Sequence, residues 1–461
     1  MASLVMLSIA ANGTTSFTSA GCTDIAICRT RYTIIWSSLV TILACVWSAV
    51  HRNIAGPARP GESRARRVVG SLLEVAKIVV VTLLVPEWVL AWAVRQFLNA
   101  RDLARQLEGS RGEAKSAWSD KRARLQGMKP EKEKKRERSK VGSWLEDDSG
   151  GALVAFEESM VAVDGRVGRL DGKWKTRHGF FIIMGGFHYY ENGVPKHPLS
   201  RWDVAELVRT GDLVPPTEGE IRGWSQGDAL SKTLAVVQTL WFVVQCIARA
   251  IEGLPITQIE IMTLAYTTIT VAMYVAWWEK PQNVGSPVRV AMKLPPPRPV
   301  MRRRWYRRVF YAIAGWQDVF SNLREELRVP TFYGGNTGED GNGSHADVVA
   351  LCAAMVFGAV HCAAWNYAFP SHTERLIWRI SSLAIVAVPG AMLLVVLVYL
   401  GTDGTQDVLE TLAFPPVFLL SGPIYVAARL LLLTLSFTTL RSLPYQAYQA
   451  VQWTLRIPHF T

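Results

Sequence analysis

Charged residues and cysteines are both scarce in this chain. Asp, Glu, Lys and Arg make up 19% of the 461 residues, against about 25% in soluble domains, whereas 49% of the residues are hydrophobic. This composition excludes a set of ordinary water-soluble cores, and it also excludes disorder along the whole chain. Six cysteines in a chain of this length cannot form a disulfide framework. The 17 tryptophans are typical of a protein that meets the membrane–water interface.

Signatures of catalysis and metal binding are missing as well. The sequence contains no Asp-rich metal motif, no His-Glu-x-x-His, no metal-spaced cysteine pair and no nucleophile elbow. The glycine-rich stretch 334–343 lacks the Gly-Lys-Ser/Thr ending of a phosphate-binding loop. We therefore expect no metal site and no cofactor, and candidate functional residues have to be sought inside the apolar segments.

Six stretches are long and apolar enough to cross a bilayer, which takes about 20 residues of helix. Together they predict an all-α polytopic membrane bundle. The predicted spans are 32–50, 234–248, 256–278, 348–369, 380–400 and 412–440.

A seventh apolar stretch, 68–94, carries Glu74, Lys77 and Glu87 and is interrupted by Pro86. Both of its flanks are rich in Lys and Arg, and cytoplasmic flanks are the ones enriched in these residues. Two basic flanks place both ends on the same side of the membrane. We therefore interpret this stretch as a re-entrant or interfacial hairpin kinked at Pro86, with a complete crossing as the alternative.

The resulting topology has six crossings with both termini outside and both large loops in the cytosol, in the plasma membrane or the endoplasmic reticulum. A small α+β insertion is predicted in the first loop, with a strand near 179–187, a helix 201–209 capped by Ser200 and closed at Gly211, and a second helix started by Thr217 and Glu220.

The predicted segments are an outer tail 1–31, a first span 32–50, a basic cytosolic region 51–143 that contains the hairpin 68–94, the insertion 144–228, a two-span hairpin 229–281, a basic loop 282–346, three spans 347–440 and a tail 441–461.

The N-terminal tail carries two signals of an oxidising, extracytoplasmic location. Asn12 begins the glycosylation sequon Asn-Gly-Thr, and Cys22 and Cys28 are close enough to form a disulfide. The sequence thus predicts a glycoprotein, with an unmodified tail and free thiols as the alternative.

The net charge of +12 is compatible with either nucleic acid or anionic lipid as a partner. The basic residues cluster in loops beside predicted spans, and no aromatic platform or nucleic-acid module accompanies them. We therefore expect binding to the lipid bilayer, through anionic lipid at the cytosolic loops, and no nucleic acid.

A set of short motifs is distributed along the chain, at 35–39, 49–51, 178–181, 184–187, 227–232, 238–242, 245–249, 253–257, 260, 263–265, 277–281, 440–444 and 457–459. These motifs resemble a large family of uncharacterised fungal multi-pass membrane proteins. The resemblance covers nearly the whole chain and implies a fungal origin and one continuous architecture. One departure is 223–226, Gly-Trp-Ser-Gln, where a more basic turn is expected.

Ionisable groups within spans are costly, so those present are candidate functional residues. Gln238, Gln245 and Arg249 are spaced by seven and four residues, which puts them on one helix face. Arg249 and Glu260 lie across a short turn, where an ion pair is expected, either as part of a site or only as a staple of the hairpin.

With His361, Arg379 and Arg429, Arg249 is predicted to form a cationic vestibule, and a basic lining selects anions. The favoured function is a channel, carrier or exporter-like protein for an anionic or hydrophobic small molecule. One alternative is a membrane-embedded enzyme, such as a cyclase acting on a lipid-like substrate, with Glu74, Glu87 or Glu260 as its acid. A non-catalytic scaffold or sensor is the other.

A tag inserted near residue 135 tests the orientation. Because region 51–143 is predicted to be cytosolic, protease added outside intact cells should leave the tag intact and should remove it after permeabilisation, as followed by immunoblotting. Digestion of the tag in intact cells would reverse the topology.

Overall fold

The computed structural model describes residues 28–58, 61–127, 170–225, 229–291, 318, 321–335, 342–401 and 414–451. The predictions for Asn12 and Cys22 fall outside these residues. The described part is mostly helical with one small three-stranded sheet, so the predicted helical class and the presence of a small α+β part are confirmed. The helices are α1 (Arg31–Ala49), α2 (Arg64–Leu84), α3 (Pro86–Gly127), α4 (Thr176–Ile183), α5 (Arg201–Arg209), α6 (Glu218–Trp224), α7 (Ala229–Ile251), α8 (Gln258–Ala276), α9 (Asn342–Cys362), α10 (His372–Gly401) and α11 (Phe414–Thr438).

Six segments are long and apolar enough to cross a membrane; they lie in six of these helices, the last continuing into a short 3-10 turn, and they overlap the six predicted spans. Helix α8 is the most buried of the six and lies at the centre, packed against α1, α3, α9 and α11. The six segments are Arg31–Ala49, Thr233–Ile251, Gln258–Ala276, Ser344–Cys362, His372–Val398 and Leu420–Ser442.

The helix direction changes by 111° between α2 and α3, which confirms the predicted kink at Pro86. The last α-helical bond of α2 runs from the Val85 N–H to the Val81 carbonyl, 2.8 Å apart. Pro86 has no N–H and its ring blocks a continuous helix, but its fixed φ suits the first position of a new one. Proline therefore ends one helix and starts the next.

Helix α2 leaves an apolar face uncovered. Val68, Val69, Leu72 and Leu73 are all more than half exposed, whereas Ile78 is buried against the bundle. With basic residues at its N-terminus, α2 has the composition of an amphipathic helix that lies along an interface.

The sheet combines β1 (Phe187–Glu191), β2 (Val194–Pro198) and β3 (Val288–Val290), in the order β2-β1-β3. Strands β1 and β2 are antiparallel and β1 and β3 are parallel. The hairpin turns at Asn192 and Gly193, which both have positive φ, as a two-residue primed turn requires. Strand β3 follows α8 in the chain, so the sheet connects the insertion to the bundle of apolar helices.

The predicted strand near 179–187 is wrong over most of its length, because residues 176–183 form α4 and the strand begins only at Phe187. A short apolar run fits a buried helix as well as a buried strand. A Cβ on Gly179 would lie 2.0 Å from the Ala100 carbonyl oxygen, so glycine allows α4 to pack directly on α3. The caps at Ser200 and Thr217 and the positive φ of Gly211 are as predicted.

A buried lysine joins the bundle of apolar helices to the adjoining loops. Lys280 is 3% exposed, and its Nζ donates to the His51 carbonyl and to the Gln96 Oε1 atom, 2.8 Å away. The same Nζ lies 4.9 Å and 4.8 Å from the ring centres of Trp92 and Trp277. A third oxygen, Asn53 Oδ1, lies 3.4 Å from the Lys280 Nζ atom. We call Asn53, Trp92, Gln96, Trp277 and Lys280 the lysine box.

The lysine box predicts a pH-dependent stability. Burial holds the pKa of Lys280 well below its ordinary value of 10.5, despite three oxygen acceptors and two indole faces. At a pH between the pKa of Lys280 in the folded chain and its pKa in the unfolded chain, the unfolded chain binds more protons. The contribution of Lys280 to the free energy of unfolding therefore rises with pH, by at most about 1.4 kcal/mol per pH unit. We expect the wild type to gain thermal stability relative to Lys280→Met as the pH is raised, in detergent solution.

The matched control is Lys196→Met, because Lys196 is paired with Glu191 on the surface. Its stability difference from the wild type should change little over the same pH range. A difference between the wild type and Lys280→Met that does not vary with pH would contradict the prediction.

Candidate functional site

Polar contacts between buried side chains of different segments lie at three levels along α8 and just beyond its end, marked by Glu260, Tyr266 and Trp277, with buried threonines between these levels. At a rise of about 1.5 Å per residue, Tyr266 lies about 9 Å from Glu260 and about 16 Å from Trp277 along the axis. The Trp277 level is the lysine box. The other two contain the residues that the sequence singles out.

At the first level, Glu260 forms an ion pair with Arg29 and not with Arg249. The predicted pair between Arg249 and Glu260 is therefore wrong. Both Glu260 carboxylate oxygens accept from Arg29, and Oε2 also accepts from the Thr257 N–H and hydroxyl, each 2.8 Å away. Arg29 reaches Glu260 from the segment before α1, which sequence spacing does not reveal.

Arg249 bonds to backbone carbonyls instead. It is 2% exposed, and its Nη1 donates to the Gln449 carbonyl at 2.6 Å, while Nη2 donates to that of Pro255 at 2.8 Å. Arg29 donates to the Ala447 carbonyl at 2.8 Å. The two arginines therefore hold the C-terminal segment 445–449 over this end of the bundle.

The N-terminal segment joins the same arrangement. Cys28 forms an isolated antiparallel bridge with Gln449 and is disulfide-bonded. Four other cysteines are free thiols, and Cys22, the predicted partner, is outside the described residues. The pairing of Cys22 with Cys28 stays a prediction. The free cysteines are Cys45, Cys246, Cys352 and Cys362.

The second level is built around the break between α2 and α3. Because α2 ends there, the carbonyls of Leu83 and Leu84 lose their helical donors. Arg429 supplies replacements, with Nη2 3.3 Å from the Leu83 oxygen and Nε 3.3 Å from the Leu84 oxygen. The Tyr266 hydroxyl also donates to the Leu83 carbonyl and accepts from Arg429 Nη2 at 2.9 Å. Arg429 and Tyr266 thus cap a helix end inside the bundle.

The Arg429 guanidinium is 3% exposed, and its centre lies 3.9 Å from the ring centre of Phe357. Within the described part of the chain no carboxylate lies within 4.0 Å of it, and its Nη1 atom has no hydrogen-bond partner. A buried cation without a direct counter-ion is costly. It is therefore the first candidate for contact with an anion.

Three more side chains around Arg429 carry buried polar atoms without a hydrogen-bond partner among the described residues: Glu87 Oε2, His361 Nε2 and Tyr425 Oη. The Glu87 carboxylate, in the first turn of α3, lies near both Arg429 and Tyr425. His361 is fully buried and packs on Phe357. We call these five residues the kink cluster: Glu87, Tyr266, His361, Tyr425 and Arg429.

The tautomer of His361 follows from its one hydrogen bond. Its Nδ1 atom lies 2.9 Å from the Phe357 carbonyl oxygen, which can only accept. Nδ1 therefore carries the hydrogen, and Nε2 of the neutral ring is an acceptor. The kink cluster thus contains two donors, Arg429 Nη1 and Tyr425 Oη, and two acceptors, Glu87 Oε2 and His361 Nε2, and Tyr425 and Glu87 interact with each other.

The predicted vestibule of four cations is not formed. Arg249 belongs to the first level, His361 and Arg429 to the kink cluster, and Arg379 donates to the Trp365 carbonyl and lies over the Trp365 ring. Gln238 donates to Thr41 at 3.2 Å, and Gln245 is half-buried.

Sequence reasoning missed Arg29, Tyr266, Tyr425 and Lys280. The sequence does contain a signal for the two tyrosines. Pro86 breaks a helix within an apolar segment, and the carbonyls that this break frees need donors, such as Arg429 and tyrosine hydroxyls in other apolar segments. Within the described ranges no group of three or more His, Cys, Asp and Glu side chains is placed to hold a metal ion.

Glu260→Gln tests the first level. Loss of the carboxylate charge leaves Arg29, whose side chain is 17% exposed, without its carboxylate partner, which should cost about 2 kcal/mol in the free energy of unfolding, measured by denaturation in detergent. Glu206→Gln is the control, because its pair with Arg209 is exposed and should contribute about 0.5 kcal/mol or less. Equal small losses would show that the first level contributes little to stability.

Comparison with known proteins gives one finding. No curated protein and no solved structure matches the chain. A family model matches residues 1–301, more than half of the chain, which includes Glu87 and Tyr266 and precedes His361, Tyr425 and Arg429. The chain therefore belongs to a family of unknown function (DUF8562).

Proposed function

We propose that this protein is a membrane carrier for a small monovalent anion and that Arg429 is its anion-binding residue. One observation carries the proposal: a nearly fully buried guanidinium faces no carboxylate within ion-pair distance in the described part of the chain and keeps Nη1 without a hydrogen-bond partner. The setting is the bilayer of the plasma membrane or the endoplasmic reticulum, with the six apolar helices as spans and anionic lipid at the basic loops.

The break between α2 and α3 suits this role. Many transporters place their binding site at discontinuous helices, whose ends carry opposite partial charges. Here Arg429 occupies the negative end of α2 and Glu87 lies at the positive end of α3. The Tyr425 hydroxyl, which interacts with the Glu87 carboxylate and with Arg429, is the second donor that a bound anion would use.

The charge of Arg429 favours a monovalent anion. In a low-dielectric interior a binding site is stable when its charges sum to about zero, because an uncompensated charge is expensive. One guanidinium balances one negative charge. Chloride and pyruvate meet this condition, whereas the succinate dianion does not.

A carrier fits the structure better than an open channel. On one side of the kink cluster, Arg29, Arg249 and Glu260 hold the C-terminal segment in place. On the other side the lysine box is closed by its own side chains. Access to Arg429 then requires one level to open at a time, which is the behaviour of alternating access.

A membrane-embedded enzyme is the second candidate, supported by Glu87 alone. Of the three carboxylates considered, Glu260 is engaged by Arg29, and Glu74 pairs with Arg328, 2.5 Å away. Only Glu87 keeps a buried carboxylate oxygen without a hydrogen-bond partner. A general acid on a lipid-like substrate would therefore be Glu87.

Uptake of labelled chloride, pyruvate and succinate into proteoliposomes tests the carrier. The purified full-length chain should take up at least one monovalent anion faster than empty liposomes, and succinate should not be taken up. Arg429→Gln should lower the uptake about tenfold or more, since a hydrogen bond to a charged group contributes about 1.5–3 kcal/mol.

Arg379→Gln is the matched control, because Arg379 lies on Trp365 outside the kink cluster, and its uptake should stay within about twofold of the wild type. Tyr425→Phe is the second variant if Arg429→Gln does not fold, with an expected loss of about fivefold for one neutral hydrogen bond. Wild-type uptake equal to that of empty liposomes, or full uptake by Arg429→Gln, would refute the proposal.

A further inference from the structure

Glu87 and Arg429 are the two opposite charges of the kink cluster, and they are held apart. They interact electrostatically, yet no pair of their atoms lies within 4.0 Å in the described structure. Each is anchored separately, Arg429 by the carbonyls of Leu83 and Leu84 and Glu87 by its place in the first turn of α3. Glu87 thus balances the charge of Arg429 without contacting it.

An anion bound at Arg429 changes this balance. With Glu87 ionised and no anion bound, the pair sums to zero. A monovalent anion beside Arg429 would then leave a surplus negative charge among apolar side chains, at a cost of several kcal/mol. A proton on Glu87 removes that surplus.

We propose that Glu87 is the proton-binding residue of this site, so that one proton and one monovalent anion enter together and the site stays neutral. This inference rests on the proposed anion carrier. The proton from solution bonds to a carboxylate oxygen of Glu87, the anion takes the place of Glu87 as the counter-ion of Arg429, and both leave on the opposite side. No bond of the anion is broken.

The other groups that face Glu87 support this assignment. Tyr425 from α11 and Arg429 act on its carboxylate directly. Tyr266 from α8 also interacts with Glu87, and His361 from α9 interacts with Arg429. His361 Nε2 is the one alternative acceptor for the proton, and it is not the group that balances Arg429 when no anion is bound.

Two properties of transport follow. Uptake requires a protonated Glu87, so above the pH at which Glu87 loses its proton it should fall by up to about tenfold per pH unit. Because one positive and one negative charge move together, a membrane potential should not change the uptake.

The experiment measures labelled pyruvate and chloride uptake into proteoliposomes at acidic and neutral external pH, with and without a potassium diffusion potential set by valinomycin. Wild type should be stimulated by acid and insensitive to the potential. Glu87→Gln, which mimics the protonated side chain, should take up the anion independently of pH, and its uptake should become sensitive to the potential. Glu74→Gln, whose carboxylate pairs with Arg328 outside the kink cluster, should behave as the wild type.

Glu87→Asp retains a titratable carboxyl and should remain dependent on pH, which separates loss of the proton site from loss of the fold. His361→Gln should also remain dependent on pH. If Glu87→Gln keeps the pH dependence of the wild type, or if His361→Gln alone abolishes it, the proton is not on Glu87.

The two proposals fail in different ways. Wild-type uptake that depends on Arg429 but not on pH, or that responds to the potential, would leave the anion carrier intact and overturn the coupling. Uptake that does not depend on Arg429 would overturn the carrier itself.

Discussion

Backbone carbonyls freed inside an apolar bundle must find donors, because there is no water to supply them. The structure depends on how this requirement is met at Pro86. The proline ends α2, the last carbonyls of α2 are left without helical partners, and Arg429 and Tyr266 donate to them. A local sequence feature thereby determines where a charged residue of the last long helix must sit, and it brings α2, α3, α8 and α11 to one point.

Helix α8 connects the helix break at Pro86 to the rest of the bundle. It is the most buried of the six long apolar helices and carries a polar contact at each end and one near its middle. At its start Glu260 binds Arg29, and beyond its end Lys280 binds Gln96. Several buried ionisable groups of the bundle thus lie where other segments meet α8, and the buried polar residues of α8 between these points are threonines.

Local signals predicted the elements well, and long-range partners could not be predicted. The caps at Ser200 and Thr217 and the break at Pro86 are decided within a few residues, so spacing alone is informative. The partner of Glu260 is different, because Arg29 lies 231 residues away in the sequence and only the packing of α1 on α8 brings it close. The helical state of α4 likewise depends on the contact of Gly179 with α3.

The contact between Arg249 and the C-terminal segment affects the order in which the protein can fold during synthesis. Arg249 reaches its acceptor on Gln449 across 200 residues, so the hairpin of α7 and α8 is synthesised long before that acceptor has been translated. Until then the Pro255 carbonyl can accept from Arg249, but the Nη1 donor needs water or another partner. Chains that stop short of the last segment would stay in that unfinished state and become substrates for quality control.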